Sequence, residues 1–204
     1  MDVSAISGLM GENKMIKTIE IDDWFNIWEG SHNIKLANDK LNILVGANGT
    51  GKTTTLRQLA EKEKEAITFE NETDGGDAEA HRRLNKGTTA QVASFMTASE
   101  GQRVLQSFGS IVKDIGKKVS EGKDFYVLLD GVDSGMSVDN IRYLKNFLHR
   151  VISDCQNRNI TACFVISSNS YEFTKGEHCI NVKTGGIVAF KNYEDYAEFI
   201  CRED

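Results

Sequence analysis

An α/β fold, a mostly parallel sheet flanked by helices, is predicted by three features of the 204-residue sequence. The first is a pair of short, nearly continuous apolar runs, Asp124–Asp130 (DFYVLLD) and Thr161–Ser167 (TACFVIS). Runs of this length suit strands buried on both faces. The second is helical periodicity beside them. Val104, Leu105, Phe108, Ile111, Val112 and Ile115 form one apolar stripe, and Ile141, Leu144, Leu148, Val151 and Ile152 form another. The third is Leu41–Leu59, LNILVGANGTGKTTTLRQL, where a strand-like run at Ile43–Val45 turns through glycines into a helix opening at Lys52.

Within that junction Gly46, Ala47, Asn48, Gly49, Thr50, Gly51, Lys52 and Thr53 match G-x-x-x-x-G-K-[ST] at every fixed position. The chemistry asks for these residue types. Glycines let the backbone take positive φ and bring amides close to phosphate oxygens. The helix mouth adds its dipole and unpaired N–H groups. Lys52 supplies a cation for the β/γ-phosphates, and the Thr53 hydroxyl can ligate Mg²⁺. Thr54, in the same helical turn, joins this nucleotide-binding set. The pattern also lies between a strand and a helix, as a phosphate cradle requires, so an ordinary glycine turn does not account for it.

Size and composition set bounds. The length suits one domain with a sizeable core, predicted over residues 15–204, with residues 1–14 (MDVSAISGLMGENK) as a mobile arm. No apolar run reaches the ~20 residues of a membrane span, and that arm lacks the pattern of a secretory signal; a cytoplasmic location is expected. Net charge of −6 argues against a surface that coats nucleic acid, although a local contact stays open. Cys155, Cys163, Cys179 and Cys201 show no C-x-x-C pairing, and the four histidines are scattered, so free thiols and no zinc site are expected. The chain contains no proline, for which we have no physical account.

Taken in order, Met15–Ile21 alternates as a half-buried strand, and Ser31–Leu36 reads as its antiparallel neighbour at the margin of the sheet. Between them Trp24, Phe25 and Trp28 have two readings, core packing, which is the commoner, or stacking on an adenine ring. The helix from Lys52 runs to about Lys64, and Ala66–Phe69 is a short strand. Asn71–Asp77 (NETDGGD) is a loop, and Asp77 can cap a helix holding Arg82, Arg83 and Leu84, with Arg82, Arg83 and Lys86 as a basic cluster. That basic cluster is a solvated face or a partner contact. Ser99 and Gly101 stand at the mouth of the first amphipathic helix, a second potential anion site. Asp130 ends an apolar strand, where such a carboxylate supports a metal shell. Asp133–Ser137 is a turn, with Ser137 capping the next helix. Ser168–Glu172 places polar side chains at a strand edge. Ile180–Phe190 is a hairpin through Gly185 and Gly186, and Tyr193, Tyr196, Phe199 and Ile200 fit a closing helix.

Three stretches in this order, GANGTGKTT, then ASEGQ opening a helix, then VLLDGVDSGMS, resemble the ABC-type ATPase head. The likeness is to the soluble branch with SMC, RecF and OLD-like proteins and small phage-encoded ATPases, and it runs from about Met15 to the C-terminus. The phosphate loop marks only the broad class of P-loop NTPases; Ser99-x-Gly101-Gln102, similar to the ABC signature, narrows it. The resemblance implies ATP and Mg²⁺ as cofactors, Lys52 and Thr53 on phosphate and metal, and Asp130 supporting the metal. It further implies a small helical lobe, about Asp74 to Lys118, that carries the signature. Ser99, Gly101 and Gln102 would then read the γ-phosphate held by a second copy, in an ATP-dependent homodimer with Asp133–Ser137 at the seam.

The sequence departs from that family at four places. Gly131 stands where many ABC heads have a water-polarising Glu. Ser168 and Asn169 stand where a His is common. The usual metal-side glutamine has no clear match, Gln91 being a weak candidate. Only 45 residues separate Thr53 from Ser99, too few for a long coiled coil. Small phage-encoded relatives share a D-[small]-x-D-S-G arrangement, so Asp133, Glu100 or Glu172 could orient water, Asp133 first because its turn also holds Asp130. The expected function is therefore an ATP–Mg²⁺-binding ATPase, slow or stimulated by a partner protein. Its rivals are a dimerisation module that hardly hydrolyses ATP and, further off, a P-loop kinase.

Overall fold

The computed structural model describes residues 15–71 and 100–202, with side chains from 18 and from 108 onward in the two spans. Eight strands and five helices lie among the described residues. The strands are β1 (Met15–Ile21), β2 (His32–Ala37), β3 (Asn42–Val45), β4 (Ile67–Glu70), β5 (Phe125–Asp130), β6 (Ala162–Ser167), β7 (His178–Asn181) and β8 (Ile187–Val188). The helices are α1 (Lys52–Lys62), α2 (Glu100–Glu121), α3 (Val138–Asn157), α4 (Tyr171–Thr174) and α5 (Tyr193–Cys201). The expected arm at 1–14, the 74–99 part of the helical lobe, the basic cluster at Arg82, Arg83 and Lys86, Gln91 and Ser99 lie outside the described residues.

The main sheet has the order β4-β5-β6-β3-β7-β8. β4 through β7 are parallel, and β8 turns back antiparallel to β7. The strands are buried on both faces because their residues serve two cores in alternation. Ile43, Val45, Val127, Leu129, Phe164 and Ile166 point to the side covered by α2 and α3, where Phe108, Ile111, Leu144 and Leu148 meet them. Leu44, Leu128, Cys163 and Val165 point to the other side, against Leu56 and Leu59 of α1. From Phe108 onward α2 packs into the main core, its Phe108 ring 6.3 Å from Phe69 of β4.

The two N-terminal strands are antiparallel, as expected of that margin, yet they form a separate two-stranded sheet. The reason is where their apolar faces go. Ile19, Ile21, Ile34 and Leu36 all enter the α1-side core and cover the flank that α1 leaves. Asn42 turns the chain from this layer into the main sheet. Its fully buried carboxamide accepts from Ala37 N (2.7 Å) and donates to the carbonyls of Ala37 and Phe164, each at 2.9 Å. Ser137 caps α3 through Asn140 N at 3.3 Å, as the sequence predicts. Cys155, Cys163 and Cys179 are buried free thiols, and Cys201 is exposed.

Candidate functional site

Parallel strands direct their C-terminal ends to one edge, and here four ends converge. β3 runs into the glycine loop, β4 ends at Glu70 beside Asn71, β5 ends at Asp130, and β6 ends at Ser167. They border a cleft of about 930 Å³. Asn48, Gly49, Gly51, Lys52, Thr53 and Thr54 line one wall, and Asp130, Gly131 and Asp133 line another. The sequence-predicted loop and the sequence-predicted carboxylates therefore share one cavity. Gly101 and Gln102 fall in the first turn of α2, where only the backbone is described.

The loop has the form of an anion cradle. Gly51 is the N-cap of α1 with φ +99°, no side chain caps the helix, and no acidic residue stands in its first turn. A helix mouth without a carboxylate keeps its positive end for a ligand. Lys52 curls over the loop, its Nζ donating to Gly46 O (2.6 Å) and Ala47 O (2.9 Å). Thr50 closes the turn, its hydroxyl donating to Ala47 O at 2.8 Å.

Across the cleft, Ser167 ties two chains together. It is the register partner of Asp130; its hydroxyl donates to Asp130 Oδ1 and accepts from Gly131 N at 3.1 Å. One residue on, Ser168 Oγ donates to Asp133 Oδ2 (2.8 Å), and Asn169 N donates to the same oxygen (3.0 Å). The Asn169 carboxamide also donates to Asn48 Oδ1 at 3.1 Å. The polar edge after β6 thus spans from the phosphate loop to the Asp133 turn. Glu172, another sequence candidate, lines the cleft but is engaged by Lys175 at 2.6 Å and Arg142 at 2.8 Å. Hydrogen bonds from Lys175 and then Arg142 hold its carboxyl below the usual carboxylate range.

Asn71 was not legible as a site residue. It follows β4 by one position, and its Oδ1 is buried with no protein hydrogen-bond partner among the described residues. It lines the cleft beside Gly131, where an added Cβ would lie 3.4 Å from Asn71 Cβ. An amide oxygen with no partner among the described residues, lining one cavity with Asp130 and the Thr53 hydroxyl, makes a set of hard oxygen donors. Such donors fit Mg²⁺, which takes oxygen ligands only, commonly one or two carboxylates together with phosphates and water. No group of three or more His, Cys, Asp or Glu that could hold a metal occurs among the described residues.

Gly131 has a local reason. Its φ is +61°, so the chain leaves Asp130 through a left-handed turn. Gly131→Glu, the residue common in the resembled family, should therefore destabilise the fold by about 1–2 kcal/mol rather than restore a catalytic group. Chemical denaturation with a parallel phosphate-release assay checks both halves; a faster, equally stable variant would refute the expectation.

The aromatic question divides. Trp28 is buried against the phosphate loop, whereas Trp24 (45% exposed) and Phe25 (68% exposed) face outward. Among the described residues no helix is long and apolar enough to cross a membrane.

No protein-family model and no curated protein matches the chain. Among solved structures it is similar to the ADP conformation of MJ1267, an ATP-binding cassette of an ABC transporter, at 13% identity over 90% of this chain and 93% of that one, with a TM-score of 0.48.

Proposed function

We propose that the protein is an ATP–Mg²⁺-binding, ABC-type ATPase that dimerises around nucleotide and turns over slowly or on stimulation by a partner. The observation that carries the reading is one cleft holding Lys52 and Thr53 at the mouth of α1 and Asp130 at the end of β5. The loop amides and Lys52 bind the phosphates, which requires Nζ to exchange Gly46 O and Ala47 O for phosphate oxygens. Thr53, Asp130 and Asn71 would hold Mg²⁺, which neutralises charge on the β- and γ-oxygens when bound. Asp133 orients the attacking water from the turn that Ser168 and Asn169 pin. Ser99, Gly101 and Gln102 complete the site of a second copy across the Asp133–Ser137 seam. Asp130-Gly131-Val132-Asp133-Ser134-Gly135 supports placement near the small soluble, phage-type heads, working in the cytoplasm as motor or switch.

A second reading has one observation in its favour. The left-handed turn at Gly131 leaves no carboxylate directly after Asp130, which suits a module that uses ATP as dimerisation glue. Phosphate release from wild type and Lys52→Ala separates the two. The enzyme reading expects wild type to exceed the variant by at least about 10²-fold, the scale at which a lost transition-state donor acts; equal rates leave only glue. Solution mass with a slowly hydrolysed ATP analogue should double for wild type and stay monomeric for Ser99→Arg. A monomer in both cases overturns the dimer.

A further inference from the structure

An anion cradle whose amides face its ligand must send its carbonyls elsewhere, and each needs a donor when buried. Three are served by the loop and the helix that it opens. Gly46 O and Ala47 O receive Lys52 Nζ, and Gly51 O receives Thr55 N (2.9 Å) and Thr55 Oγ (3.0 Å). The Thr50 carbonyl is served from outside, by Trp28 Nε1 at 2.9 Å in a buried contact. The same indole fills the space beside Gly51, where an added Cβ would lie 2.6 Å from Trp28 Cζ2.

Trp28 is itself held by its own segment. The Asp23 carboxylate accepts from Ile27 N (2.7 Å), Trp28 N (3.2 Å) and Gly30 N (3.3 Å), folding residues 23–30 around one side chain. Gln58, buried in α1, closes a two-way amide pair with Asp22, accepting from its N–H at 2.8 Å and donating to its carbonyl at 2.6 Å. The segment 22–30 thus grips α1 at its mouth and again two turns later. On the cleft side, Ile27 forms part of the wall.

We propose that Trp28 is a positioning residue for the nucleotide: its N–H and ring hold Thr50 and Gly51 in the backbone geometry that presents the loop amides to phosphate. This rests on the nucleotide-binding reading above. The effect acts on the phosphate cradle and not on the base. Trp28→Phe, which keeps an aromatic ring and removes the donor, should therefore weaken ATP, ADP and inorganic tripolyphosphate by the same factor, about tenfold.

Calorimetric titration of wild type and Trp28→Phe with the three ligands, at a temperature where both are folded, provides the test. A parallel loss for all three supports the proposal. Unchanged affinity in a folded Trp28→Phe overturns it while leaving nucleotide binding intact, and a loss confined to ATP and ADP overturns it in favour of a base contact. Wild type that binds none of the three overturns the nucleotide reading and this proposal with it. Should Trp28→Phe fail to fold, Trp24→Phe leaves Trp28 as the sole tryptophan of the chain. Its emission should then shift saturably with tripolyphosphate; no shift at a concentration where calorimetry shows binding overturns the proposal.

Discussion

Asp133→Asn should lower phosphate release by about 10²–10⁴ while leaving ATP affinity near wild type, the range typical of a lost general base. The neutral amide keeps nearly the same shape, so Ser168 Oγ still finds an acceptor 2.8 Å away through the remaining carbonyl oxygen. What disappears is the second carboxylate oxygen and its charge, which a water-orienting role requires. Each carboxylate has one oxygen engaged, Asp130 Oδ1 by Ser167 and Asp133 Oδ2 by Ser168 and Asn169, so the other oxygen of Asp133 is the one assigned to water. A single-turnover assay at saturating ATP, with affinity measured separately, isolates the effect. Release unchanged within twofold would remove Asp133 from the mechanism and turn attention to the signature side of a second copy.

The largest effect on stability is expected at Glu177, away from the cleft. Its side chain is 4% exposed, and its Oε1 lies 3.1 Å from Lys145 Nζ and 2.7 Å from His149 Nε2. Its Oε2 accepts from Leu41 N at 3.2 Å, at the entry to β3. Glu177→Ala removes the counter-ion of half-buried Lys145, which keeps the carbonyls of Glu172 (3.3 Å) and Lys175 (2.7 Å), and leaves the Leu41 amide unpaired, which should cost about 2–3 kcal/mol. In a domain of this size that lowers the melting temperature by about 4–12 °C. An unchanged melting curve would show that water replaces the carboxylate freely.

The same group carries a pH dependence. Burial pushes the Glu177 carboxyl up, but His149 and Lys145 together outweigh it and hold the folded value below 4.5. A carboxyl depressed on folding adds stability above its unfolded value and loses it as pH falls through the folded one. Acid unfolding of wild type should therefore steepen below about pH 4.5, and Glu177→Gln should flatten that limb.

These groups mark how far the sequence could be read. The loop from Gly46 to Thr53, the strand ending at Asp130 and the Ser137 cap are local patterns, legible from residue type and spacing before any long-range contact is known. Asn71 is different. Inside the polar run NETDGGD nothing separates it from its neighbours, and it reaches the cleft only because β4 pairs with β5 and sets Glu70 opposite Asp130. Trp28 shows the same limit, since an aromatic in a turn does not reveal that its donor will meet Thr50. The separate β1–β2 sheet was hidden too. Alternation tells which face of a strand is apolar, but not which layer that face will cover.

The order of the main sheet bears on how the protein is made. β3, which carries the glycine loop, is flanked by β6 and β7, so its hydrogen-bonding partners are encoded more than a hundred residues downstream. On the ribosome, the glycine loop must wait beside unpaired strand edges until Asn181 has emerged. A nascent chain halted before that point would carry the whole glycine motif and have no cradle to offer.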